Sequence, residues 1–312
     1  MKFQPKRWVA YLWMLILPFM GWAQTQPEVK TYSLAETPNV PYYPEDSELA
    51  SNLTQVNFLI PEGVDNPPVF LWIGGGAWAY VNRHQEMALC RKIAERGIAV
   101  VSIGHRLSPA LIWEPKRETG IKHPEHVKDV AKAFKFVKDH AADYGYNPDQ
   151  MFIGGFSSGA HLSTLLAMDK RYLEAEGLSQ DDIRGIIPVG GGYDIPHYRV
   201  ELIKEDPSYE TNHINPVFGD THEEHVDASP VTYIDDFKVP MLMVSENSTY
   251  VYSVVFEQLL REIGYTNFQV LNAHDQDHGS LWRHLSNAEN SMYREYILDF
   301  IRVQCETKPA TE

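Results

Sequence analysis

Apolar and polar positions divide this chain into short unbroken apolar runs and longer stretches with a helical period. Val69-Phe70-Leu71-Trp72-Ile73 is apolar at every position. A strand with one face in water would alternate, so an unbroken run of this length predicts a strand covered on both faces. Mostly apolar runs, three of them interrupted by Ser102, Arg184 or Gln269, lie at Ile98 to Ile103, Met151 to Ile153, Ile183 to Val189, Met241 to Val244 and Phe268 to Leu271. Helical spacing lies between them. From His126 to His140, the residues Val127, Val130, Ala131, Phe134 and Val137 fall on one face. Helices are also expected at Glu86 to Arg96, Ala160 to Met168, Val254 to Ile263 and from about Ala288 to Val303. Strands alternating with helices predict an α/β fold of three layers, a mostly parallel sheet with helices on both faces. Sites in such sheets form at the carboxyl ends of the strands.

Several segments fall outside this rhythm. The first 23 residues combine a basic start (Lys2, Lys6, Arg7) with an apolar run from Trp8 to Met20 and a small-x-small sequence, Gly21-Trp22-Ala23. That order predicts an export signal cleaved near Ala23 and a secreted or periplasmic protein. The run is too short to span a bilayer, so no stable membrane association is expected after cleavage. Residues 24–52 carry many Pro, Tyr and Glu without a period and suggest an arm over the surface. A main domain is expected over 53–306, with 198–233 as a rim insertion or a solvated connection and 307–312 as a tail.

Composition narrows the partners. A formal charge of -15 over 312 residues leaves no basic patch to neutralise phosphates, which argues against nucleic acid. No His/Cys/Asp cluster has metal-ligand spacing, and no cofactor is expected. The two cysteines, Cys90 and Cys305, suit either a disulfide of an exported protein or two free thiols. Nothing in the pattern sets an oligomeric state.

Three motifs carry chemistry. Gly155-Phe156-Ser157-Ser158-Gly159 follows an apolar strand and opens a helical run, the context in which a G-x-S-x-G turn lifts a serine hydroxyl above a sheet. Gly74-Gly75-Gly76-Ala77-Trp78 follows the strand ending at Ile73. A glycine run there frees backbone N–H groups for an oxyanion; Gly75 and Gly76 are the candidates, with the N–H of Ser158. A phosphate loop is the competing use of such glycines, but no Gly-Lys-Ser/Thr follows. His278, in Asp277-His278-Gly279-Ser280 after the last strand, is the candidate base for Ser157, because imidazole is matched to neutral pH.

These residues resemble the esterase/lipase branch of the α/β-hydrolases that contains kynurenine formamidase and bacterial acetyl- and feruloyl-esterases. The resemblance runs from about Val69 to Ile301. It also rests on His105-Arg106-Leu107-Ser108-Pro109, Pro124 to Ala133, Tyr146-Asn147-Pro148-Asp149, Gly192-Tyr193-Asp194 and Ala228-Ser229-Pro230. It implies an α/β-hydrolase fold, a serine nucleophile and no cofactor. It also implies that the helices bearing Cys90 and Cys305 share a face of the sheet, which keeps a disulfide possible.

Two departures stand out. Gly74 occupies the position of the family's usual histidine, and Ser248 the position of its usual acid. Since serine carries no charge to hold an imidazolium, Glu246 is the first substitute and Asp194 the second. The expectation is an exported serine carboxylesterase acting on a small or carbohydrate-linked acyl ester. Trp78, Trp113, Tyr193 and Tyr250 are candidates for its pocket. An amidase of formamidase type, or a catalytically impaired member that only binds a ligand, are the alternatives.

Overall fold

A computed structural model describes residues 30–307. The expected export signal and residues 308–312 of the tail lie outside the described residues. Eight strands are found among those described: β1 (Leu34–Pro41), β2 (Gln55–Pro61), β3 (Val69–Ile73), β4 (Ala99–Ile103), β5 (Met151–Phe156), β6 (Gly185–Val189), β7 (Met241–Glu246) and β8 (Phe268–Ala273). They form one sheet in the order β1-β2-β4-β3-β5-β6-β7-β8. β1 and β2 are antiparallel to their neighbours, and the rest run parallel.

The unbroken apolar runs are explained by two cores. Along β3, Val69, Leu71 and Ile73 face one of them and Phe70 and Trp72 the other. Glu125–Asp139 and Tyr250–Glu262 pack on the first face; Met87–Ala94, His278–Asn287 and Met292–Glu306 pack on the second. Ser158–Met168 is buried at every position, so it shows no amphipathic pattern. Register aligns the carboxyl ends of the central strands, pairing Ile73 with Gly155, Phe156 with Val189 and Val189 with Val244. Those ends form one rim of the sheet.

The described elements differ from the expected ones in several places. The supposed surface arm contributes β1, which is exposed on most of both faces and so shows no alternation. Contacts group the chain from Thr31 onward into one compact unit. β2 escaped notice because Asn57 interrupts its apolar run; that side chain is buried, bonding the Asn39 N–H at 2.9 Å and Arg83 Nε at 3.3 Å. A helix that the pattern did not show, His278–Asn287, precedes the expected C-terminal one, Met292–Glu306. The first starts in a capping box of Asp277 and Ser280, and Ser291 caps the second. Residues 198–233 form a series of short helical pieces. Cys90 and Cys305 are both unpaired, and burial pushes the Cys90 thiol up.

Buried histidines link this core to pH. Burial holds His105, His123 and His126 below the ordinary range, His213 at about 4 and His161 at about 3. They stay neutral in the folded protein while the unfolded chain takes up protons below about pH 6.5. Stability on this account is flat above that pH and is lost as pH falls below it, by up to about 1.4 kcal/mol per histidine per pH unit. Thermal midpoints between pH 7.5 and 5 should therefore decline well before the carboxylates titrate. A midpoint constant down to pH 5 would contradict this.

Candidate active site

The rim gathers the chemistry-bearing residues, and the sharpest local feature is at Ser157. Its backbone has φ 56° and ψ -115°, a conformation that costs a non-glycine residue about 1–3 kcal/mol. Two hydrogen bonds and a close strand approach hold it there. Its N–H donates to the Val189 carbonyl at 2.8 Å, and its carbonyl accepts from His161 N–H at 3.2 Å. The flanking glycines let β3 approach, since a Cβ at Gly155 would lie 2.5 Å from the Ile73 oxygen and one at Gly159 2.7 Å from the Ile73 carbonyl carbon. The turn thus needs residues without side chains on both sides of the serine.

His278 lies beside this turn. Its ring stacks on Phe156 at 4.5 Å and rests over the bare backbone of Gly190, where a Cβ would come within 3.2 Å. Nδ1 lies 2.8 Å from Glu246 Oε1. Glu246 ends β7 and is 1% exposed. Burial opposes its ionisation, but hydrogen bonds from His278, the Ser248 N–H (2.5 Å) and the Thr249 hydroxyl (2.8 Å) outweigh it and hold the carboxyl below its usual range. An ionised carboxylate only accepts, so Nδ1 carries the proton and Nε2 is left as the basic nitrogen. Ser248 thus meets Glu246 through its backbone N–H. Asp194, the other candidate, caps Ile195–Glu205 and accepts from His197 N–H at 3.0 Å.

The glycine-rich loop runs through left-handed backbone at Gly76 (φ 141°), Ala77 (φ 50°) and Trp78 (φ 56°). Two of these are not glycine, so neighbouring structure must impose the shape. Trp78 is the anchor. Its indole N–H donates to His161 Nδ1 at 3.2 Å, His161 Nε2 donates to the Ala228 carbonyl at 2.8 Å, and the ring packs edge-on to Phe218. The Trp78 carbonyl accepts from Ser108 N–H at 3.0 Å, and the Ser108 hydroxyl bonds His126 Nε2 at 2.8 Å. Beside it, Arg106 grips the buried Asp129 through Nε at 2.8 Å and Nη2 at 2.7 Å. The motif residues 105–109, 124–133 and 228–230 thus converge on one loop. Gly75 lies against the elbow, where a Cβ would come 3.2 Å from that of Ser157.

Ser157, His278, Gly75, Gly76 and Ser158 all line one cavity of about 470 Å³. Trp78 and Trp113 line it too; Trp113 is 53% exposed at its mouth, with its backbone bound in both directions by the Tyr80 hydroxyl. Two pocket candidates lie elsewhere. Tyr193 is buried against Phe256, and Tyr250 is partly exposed beside His274. Sequence reasoning missed Glu86, Thr249, Tyr198, Tyr252 and Trp282 on the cavity wall.

Comparison with known proteins places this geometry. The family model described as BD-FAE matches residues 57–258, well over half of the chain, and the chain belongs to that family. It is similar to a probable carboxylic ester hydrolase, LipM, of Mycobacterium tuberculosis (strain ATCC 25618 / H37Rv), with 31% identity over 182 residues, 57% of this chain and 40% of that protein. The chain thus spans about two-fifths of LipM's length. Among solved structures it is similar to an inhibited esterase B from Lactobacillus rhamnosis, with a TM-score of 0.70, 17% identity and coverage of 89% of this chain and 87% of that one. A truncated form of a carbohydrate esterase from gut microbiota gives a TM-score of 0.64, 20% identity and coverage of 89% and 98%. The fold is the α/β-hydrolase fold.

The loop anchor has a direct test. Trp78→Phe keeps the ring packing but leaves His161 Nδ1 buried without its donor, which should cost about 1–3 kcal/mol in chemical denaturation. Unchanged stability would show that the indole hydrogen bond does not hold the loop.

Proposed function

We propose that this chain is an exported serine carboxylesterase acting through an acyl-enzyme on Ser157. The observation that carries the proposal is that a strained, cavity-facing serine shares its pocket with an imidazole bonded to a buried carboxylate. In this mechanism, Ser157 Oγ attacks the ester carbonyl carbon while His278 Nε2 takes its proton. Glu246 stays ionised and stabilises the imidazolium. The N–H groups of Gly75, Gly76 and Ser158 receive the oxyanion. Collapse breaks the bond to the alcohol oxygen, which leaves with the proton from His278. Water then attacks the acyl-serine by the same route and releases the acid. No step calls for a cofactor.

The substrate is a small-molecule ester, and within that class we place the acyl group on a carbohydrate. Support comes from the exposed Trp113 at the mouth, whose flat face suits the C–H face of a sugar, and from polar Gln85, Glu205 and Arg283 on the same wall. The similarity to a carbohydrate esterase agrees with this. Among the described residues no helix is long and apolar enough to cross a membrane. The basic and apolar leader supports export. The grounds for a binding-only protein were the serine at position 248 and the glycine at position 74; with Glu246 bonded to His278 the first of them is weak.

Hydrolysis of p-nitrophenyl acetate and of an acetylated sugar, set beside the matching acetanilide, tests this reading. Both esters should turn over faster than the amide, and Ser157→Ala should fall to background. Glu246→Gln should lose on the order of 10³–10⁴ in kcat. Asp194→Asn should stay within a factor of about three, because asparagine caps a helix as well as aspartate. A larger loss from Asp194→Asn than from Glu246→Gln would reverse the choice of acid, and turnover surviving in Ser157→Ala would refute the nucleophile.

A further inference from the structure

Gly74 leaves a space that another residue fills. A Cβ built at this position would lie 2.8 Å from Glu86 Cγ, 2.9 Å from its Oε1 and 3.0 Å from its Cδ. The Glu86 carboxyl therefore occupies the volume that any side chain at position 74 would need. Glu86 is 3% exposed and lines the cavity from the residue just before helix Met87–Ala94. Its partners are two indoles and no cation. Trp72 Nε1 donates to Oε2 at 2.8 Å, and Trp282 Nε1 donates to the same oxygen at 3.3 Å. Burial raises the carboxyl above its usual range, while the two indole donors oppose the shift.

Those partners sit at telling places. Trp72 is the penultimate residue of β3, two residues before Gly74 and the start of the oxyanion loop. Trp282 is on helix His278–Asn287, four residues after the candidate base and so on the same face of that helix. One carboxyl thereby spans the strand that launches the loop and the helix that carries the imidazole. We infer that Glu86 is a positioning residue, a brace that sets the oxyanion loop against the helix of His278 and fills the space left open at Gly74. Its hydrogen bonds fix both ends, and its bulk against Gly74 stops the loop from sinking toward the Met87–Ala94 helix. The inference rests on the ester-hydrolase reading for its catalytic consequence, but its steric core is independent of that reading.

The test therefore has two parts. The first is a stability cycle that needs no turnover: Gly74→Ala, Glu86→Ala and the double variant, compared by thermal midpoint. Gly74→Ala alone should lower the midpoint by several degrees, whereas adding it to Glu86→Ala should cost nothing further or restore part of the loss. Additive losses would overturn the inference. The second part compares Glu86→Gln, which keeps an acceptor for the indoles, with Glu86→Leu, which fills similar space without one. Circular dichroism confirms folding of both. Glu86→Gln should keep kcat within a factor of about three, while Glu86→Leu loses about 10- to 100-fold in kcat at little-changed KM, the scale expected for misplaced catalytic groups. Equal kcat in the two variants would reduce Glu86 to a space filler and overturn the inference. Lack of Ser157-dependent turnover in the unmodified protein would sink the functional proposal instead, and the stability cycle would then test the steric part of the inference by itself.

Discussion

The left-handed backbone of Ser157 is the constraint on which the rest of the structure depends. A serine at φ 56° persists only where the surroundings allow nothing else. Here β5 must end within reach of the Val189 carbonyl, and β3 must pass so close that positions 155 and 159 carry no side chain. The helix that follows is then buried on every side, so it holds the turn from below. The strand order that places β3 and β6 on either side of β5 is thus a precondition of the site and not a scaffold added to it.

A second strained segment, Gly76 to Trp78, is held by a different device. Its two non-glycine residues at positive φ cost on the order of 1–3 kcal/mol each. Opposing this are burial of a whole indole and a relay of neutral hydrogen bonds, Trp78 to His161 to the Ala228 carbonyl. The relay works only while His161 is neutral, since one ring nitrogen accepts and the other donates. Burial secures that by keeping the imidazole far below its ordinary pKa. The acid lability expected of the fold and the order of the loop therefore share a physical origin, a buried neutral histidine.

Much of this was legible in the sequence because the covered sheet writes itself as unbroken apolar runs. Ser157, His278 and the glycine loop follow those runs at strand ends, so pattern and chemistry reinforced each other. What stayed hidden had identifiable causes. β1 lacks a buried face, and Asn57 masks β2 because its polarity is satisfied far away in the chain. Glu246 and Asp194 both stood near strand ends, and only the three-dimensional partner of each separates an acid bonded to imidazole from a helix cap. Tyr193 and Tyr250 show that aromatic composition does not tell a pocket wall from core or surface. Glu86 reads as an ordinary glutamate at a helix start. The signal that pointed to it was the empty position at Gly74, and acting on that signal required knowing what lay across from it.

The central claim is that Ser157 is made nucleophilic by the His278–Glu246 pair within one cavity. Covalent labelling of the intact protein with an alkyl fluorophosphonate, followed by intact mass and peptide mapping, tests it most directly. A single adduct on Ser157 is expected, formed much more slowly in Glu246→Gln and absent from Ser157→Ala. An unlabelled protein, or an adduct on another residue, would contradict the account.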